Sequence, residues 1–107
     1  MAKRTPFEIQ YAAEVMEHLD WIPEKYHPLI WKTILEQLSF EPMTETRNRK
    51  LLTTPGVIGA TWELRLGPGN RFRVLYDVFV EERSVVVAAI GIKQGNQLFV
   101  GGEEQSK

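Results

Sequence analysis

The chain has 107 residues and no cysteine, with 43% hydrophobic and 25% charged residues and a formal net charge of −1. That length suits one compact domain and leaves no room for two, and the missing thiols exclude both a disulfide framework and a thiolate metal site. A near-neutral chain without a long apolar run is neither a wholesale basic nucleic-acid binder nor a membrane-spanning protein. The opening residues also lead into no apolar signal core, so a cytoplasmic location is expected.

The charges are unevenly distributed. Residues 1–46 hold 4 Lys/Arg and 8 Asp/Glu, residues 47–77 hold 6 and 2, and residues 78–107 hold 3 and 4. The middle segment, at +4, can steer and grip an anion while the rest of the surface limits nonspecific adhesion. Such a run is also what an ordinary solvated face looks like.

Residues 7–11 alternate and predict a short strand. Ala12, Val15, Met16, Leu19 and Ile22 then recur at helical spacing, predicting a helix over 10–20. Pro23 marks a turn. Pro28 fits near the first turn of a second helix, His27 to Ser39, with Ile30, Ile34 and Leu38, joined by Trp31 and Leu35, as its buried stripe. The connector from Arg47 to Gly56 carries Arg47, Arg49 and Lys50 and a Pro-Gly turn signal. Strands are predicted at 60–66, 71–80 and 85–92, with hairpin turns through Gly67–Asn70 and Glu81–Ser84. Lys93–Asn96 forms a further turn and residues 97–100 a short last strand, and the polar tail from Gly101 is expected to fray. The expected fold class is α+β: a strand, a helical hairpin, then an antiparallel meander with the helices on one sheet face.

Alternation gives that sheet two unlike faces. Trp62, Leu64 and Leu66 share one side with Phe72, Val74, Tyr76, Val78 and Val80, whereas Glu63, Arg65, Arg71 and Arg73 point the other way. Guanidinium groups on a strand face suit a phosphate backbone; the bland alternative pairs Arg73 with Asp77 or Glu63, and Arg65 with Glu63. Lys93 closes the strand after Gly91. The connector cations suit RNA contact, and equally the capping of the second helix or pairing with an acidic partner. His18 and His27 sit in or beside the helices and make no metal site. Trp21, Trp31, Trp62, Tyr26 and Tyr76 follow core periodicity, which leaves Tyr11 as an outside candidate for a reactive phenol.

The segments Glu45-Thr-Arg-Asn-Arg-Lys-Leu51, Trp62-Glu-Leu-Arg65, Phe72-Arg-Val-Leu-Tyr76, Ala89-Ile-Gly-Ile-Lys93 and Gly101-Gly-Glu-Glu104 occur in an order that resembles the toxins of the RelE/ParE superfamily of bacterial toxin–antitoxin systems. The resemblance spans nearly the whole chain as a single domain. It implies metal- and cofactor-free cleavage of messenger RNA on the ribosome, in which the message's own 2′-hydroxyl attacks the neighbouring phosphate. It carries Arg65, Arg73 and Lys93 over as catalytic positions, and Arg47, Arg49, Lys50 and Arg71 go with them as RNA-binding candidates. Two departures stand out. Glu63 replaces a cation of the best-known members, and Phe99 falls near the expected tyrosine. Gyrase-directed members lack the proton-transfer set too, so the resemblance also covers a non-catalytic inhibitor of a protein such as a topoisomerase, and a decayed member that binds only its antitoxin. The implied partners are a cognate antitoxin and, on the nuclease reading, the ribosome and its message. The apolar helix faces offer a homodimer surface as an alternative, and no DNA-reading motif is present, so operator binding would fall to the partner.

Overall fold

A computed structural model describes residues 5–52 and 59–105. Its elements are β1 (Glu8–Tyr11), α1 (Val15–Leu19), a 3₁₀ turn (Glu24–Tyr26), α2 (His27–Leu38), β2 (Arg49–Leu51), β3 (Trp62–Leu66), a 3₁₀ turn (Pro68–Asn70), β4 (Phe72–Phe79), β5 (Ser84–Gln94), β6 (Gln97–Val100) and β7 (Glu103–Gln105). The sheet runs β2-β3-β4-β5-β6-β7 with every neighbouring pair antiparallel, and β1 adds parallel to the first half of β5. Both helices cover one face, as the α+β expectation requires.

The core lies between that face and the helices. Val15, Ile30, Ile34, Leu38, Leu64, Val74, Tyr76, Val85, Val87 and Ile90 are completely buried. Each such side chain contributes about 1.5–3 kcal/mol by leaving water. A smaller apolar cluster of Ala60, Leu75, Ala89 and Val100 sits on the opposite face. The two clusters part at a bulge: Leu75 pairs with Ala89 but Tyr76 pairs with Val87, so Ala88 is the extra residue.

Several expectations need correction. The helix predicted over 10–20 shrinks to Val15–Leu19, because residues up to Tyr11 pair with β5 and the Ala12 N–H donates to the Val87 carbonyl at 2.9 Å. Of its apolar stripe Met16 is exposed, as is Trp21, which was expected in the core; on α2 Leu35 also faces solvent, while Ile30, Ile34 and Leu38 are buried as predicted. The basic connector contains a strand, β2, and the tail from Gly101 pairs as β7 on β6 through Glu103 and Val100. The Pro55-Gly56 turn signal lies outside the described residues. Pro28 sits in the first turn of α2, as its ring geometry favours.

Candidate functional site

Cross-strand register on the face away from the helices sets Lys50 opposite Glu63, Glu63 opposite Leu75, Arg65 opposite Arg73, and Arg73 opposite Gly91. Two arginines directly opposed in a ladder repel, and would destabilise the sheet without a counter-charge. Glu63 supplies it. Its Oε1 accepts from Arg65 Nε at 2.9 Å and from Arg73 Nη1 at 3.2 Å. Arg73 is also anchored by its Nε, which donates to the Asn70 carbonyl at 3.0 Å. One carboxylate between two guanidiniums leaves the trio net positive.

The two arginines differ in access. The Arg65 side chain is 36% exposed, against 10% for Arg73. Burial lowers the pKa of Arg73 and the neighbouring Arg65 charge adds to this, while Glu63 opposes both. The guanidinium stays charged in any case, because arginine titrates far above neutrality. The expected pairing of Arg73 is therefore with Glu63. Asp77 is engaged elsewhere, its Oδ1 accepting from the Thr61 N–H at 2.9 Å and the Thr61 hydroxyl at 2.7 Å.

Lys93 follows Gly91 by two residues and shares its face, half-buried, with its N–H donating to the Arg71 carbonyl at 2.7 Å. Gly91 has a steric reason to be glycine. An added Cβ would lie 2.7 Å from the Phe99 carbonyl oxygen and 2.9 Å from Val100 Cγ2. Arg71 is exposed at the rim, its guanidinium carbon 6.0 Å from the centre of the Phe72 ring. Arg47 is exposed on the loop leading into β2. That loop is tied by Thr46, whose hydroxyl accepts from the N–H groups of Asn48 and Arg49 at 3.1 and 3.0 Å; Asn48 instead gives its carbonyl to the Arg65 N–H at 2.8 Å.

Arg49 does not belong to this face. It opposes Leu64, so alternation turns it toward the helices, where it is buried and its Nη1 donates to the Gln37 carbonyl at 2.6 Å. It caps the carbonyl end of α2 as a helix-terminal cation does, and the expectation that it contacts RNA is corrected accordingly.

The imidazoles and phenols lie on the other side of the sheet. His27 Nε2 donates to the Leu19 and Ile22 carbonyls at 3.0 and 2.8 Å and so closes the end of α1. The Tyr76 hydroxyl is buried, donates to the Pro42 carbonyl at 2.7 Å, and has its pKa driven up by burial. Tyr11 packs edge-on against Trp31, 5.0 Å between ring centres, and burial raises it as well. Phe99 pairs with Ile92 and lines a cavity of about 190 Å³ with His18, Trp21, Gly101 and Gly102, behind the arginines.

His18 has a role that sequence reasoning missed. Between the last β1 pair at Val87 and the first β6 pair at Gly91, one edge of β5 lacks a strand partner, and the Ile90 N–H donates to His18 Nδ1 at 3.3 Å. Only the strand register reveals that gap. Among the described residues, no group of three or more His, Cys, Asp or Glu side chains is placed to hold a metal ion, and no helix is long and apolar enough to cross a membrane.

No protein-family model matches the sequence, and no curated protein matches it. Among solved structures, the fold is similar to a chain of the RelBE2 toxin–antitoxin complex of Mycobacterium tuberculosis. The TM-score is 0.67 at 22% identity, covering 87% of this chain and 98% of the other. With its helices on one sheet face and an antiparallel meander beneath them, this chain shares the fold of that chain of the complex.

Proposed function

We propose that this chain is the toxin component of a toxin–antitoxin pair, and that it arrests translation by cutting messenger RNA on the ribosome. The observation that carries the reading is the direct opposition of Arg65 and Arg73 on the open sheet face, with a single carboxylate between them. A phosphodiester there undergoes transesterification. The 2′-oxygen of the message bonds to the adjacent phosphorus, its proton leaves to solvent, and the bond from phosphorus to the 5′-oxygen breaks, giving a cyclic phosphate and a 5′-hydroxyl once that oxygen takes up a proton. Arg65 and Arg73 stabilise the crowded dianionic phosphorane, the term expected to dominate such a step. Lys93 neutralises charge on the departing oxygen and returns its proton. Arg47, Lys50 and Arg71 hold flanking backbone by counterion release. The likeness to a chain of a toxin–antitoxin complex supports an antitoxin as partner, and the +4 stretch favours an acidic segment on it.

A second reading rests on a different observation. The tyrosines and histidines described above all lie on the helix side, so the open face offers cations without an imidazole or phenol to exchange protons. On this reading the protein binds its target without cutting, as a toxin directed at a protein such as DNA gyrase would, or retains only antitoxin binding. Cell-free translation with mapping of message ends separates the two. The nuclease reading expects arrest with new 5′ ends, both lost in Arg73→Ala with the fold intact. Arrest that persists in Arg73→Ala, or that comes without new ends, overturns it.

A further inference from the structure

We infer that Glu63 is a tethered competitor on the anion-binding arginines, which restricts the open face to ligands carrying several phosphates. The inference rests on the reading of that face as an RNA site and names what the site selects.

Both guanidiniums converge on a single oxygen. Glu63 Oε1 stands 2.9 Å from Arg65 Nε and 3.2 Å from Arg73 Nη1, where a non-bridging phosphate oxygen would sit in a guanidinium–phosphate complex. The residue is nearly buried, at 9% exposure, so its contact with the buried Arg73 is shielded from solvent competition, while the contact with Arg65 stays open to it. Glu63 is covalently held two residues from Arg65 and across one strand pair from Arg73. A group attached this way meets its partners at an effective concentration of about millimolar or above. A free monophosphate therefore faces an opponent that never diffuses away.

A polyanion escapes this limit. While one phosphate displaces the carboxylate, its neighbours engage Lys93 and the rim cation Arg71, and those contacts supply the affinity that a lone phosphate lacks. The geometry also provides for the displaced group. Arg73 keeps its anchor on the Asn70 carbonyl at 3.0 Å, so the cation stays in place as the carboxylate swings. Lys50 stands directly opposite Glu63 in the ladder and is the cation beside which the freed carboxylate settles.

The test titrates the full chain with inorganic phosphate and, separately, with a short single-stranded oligoribonucleotide. Glu63→Gln is expected to tighten phosphate and RNA binding by a similar factor, about tenfold or more, because each must displace the carboxylate and the tether is gone, and phosphate alone then becomes a measurable ligand. Glu103→Gln removes the same charge from the same face, on β7, and is expected to change either affinity by less than about twofold. Equal gains in the two variants, or no gain in Glu63→Gln, overturn the inference. The unsubstituted protein gives an independent measurement: RNA must shift the Nε–H resonance of Arg65, the group that Glu63 holds, and if it does not move at saturation the carboxylate is not displaced. Tight phosphate binding by Glu63→Gln without RNA cleavage or translational arrest upholds the tethered competitor and removes the nuclease reading. Arrest without any phosphate gain does the reverse.

Discussion

Gly91→Ala probes the centre of the open face, since Gly91 lies between Arg73 on β4 and Val100 on β6. An alanine Cβ would stand 2.7 Å from the Phe99 carbonyl oxygen, 2.9 Å from Val100 Cγ2 and 3.1 Å from Leu98 Cδ1. A comfortable carbon–oxygen approach is about 3.3 Å or more, so β6 must retreat by roughly half an ångström while still hydrogen-bonded to β5. Overpacking of this kind costs about 1–3 kcal/mol, and the smaller conformational freedom of alanine in the unfolded chain returns about 0.4–1 kcal/mol. The midpoints of these ranges, about 2 and about 0.7 kcal/mol, leave a net loss of about 1.3 kcal/mol. For a domain of this size that lowers Tm by about 5–10 °C. Urea unfolding followed by tryptophan fluorescence, together with a thermal scan, measures it. A Tm equal to or above that of the parent protein would refute the claim that β6 is held this close to β5.

Two other outcomes follow from the packing. Tyr76→Phe removes the buried donor to the Pro42 carbonyl and leaves that oxygen unsatisfied, so urea unfolding should show a loss of about 1–3 kcal/mol; a change within experimental error would mean the phenol does not hold the 40–44 segment to the sheet. His18 has its pKa lowered from 6.5 by burial, against weaker upward pulls from Glu14 and Glu17. The folded state thus prefers neutral imidazole. The contribution of His18 is complete above about pH 6.5 and is lost as pH falls through the lower folded value, where the Ile90 N–H loses its acceptor. His18→Gln should flatten that part of the urea-midpoint profile, and an undiminished slope assigns the acid sensitivity elsewhere.

The parts of the fold governed by periodicity were legible in the sequence. Trp62, Leu64 and Leu66 alternate with Glu63 and Arg65 as a half-buried strand must, and Ile30, Ile34 and Leu38 mark the inner stripe of α2. What eluded sequence reasoning was set by register between distant segments. β2 is three residues long and turns a charged Arg49 inward, because the last turn of α2 leaves the Gln37 carbonyl needing a donor. No hydrophobic pattern announces such a strand. β7 is equally short and polar, and joins the sheet through its backbone. At the site, the Glu63–Arg65 contact could be read from a two-residue spacing on one strand face. The capture of Arg73 by the same oxygen depends on which residue of β4 faces β3, as does the choice of Glu63 over Asp77. The separation of Phe99 from the arginines depends likewise on β6 turning that ring toward the helices.

The parallel pairing of β1 with β5 has a kinetic consequence. During synthesis the nascent chain delivers Glu8–Tyr11 long before Ser84–Val87, the segment it must lie beside. Until that late segment is available, α1 and α2 have no completed sheet to cover. Loop closure over so long a span is slow, which makes docking of the amino-terminal strand a natural last step of maturation. The domain therefore matures only when nearly all of it has been made.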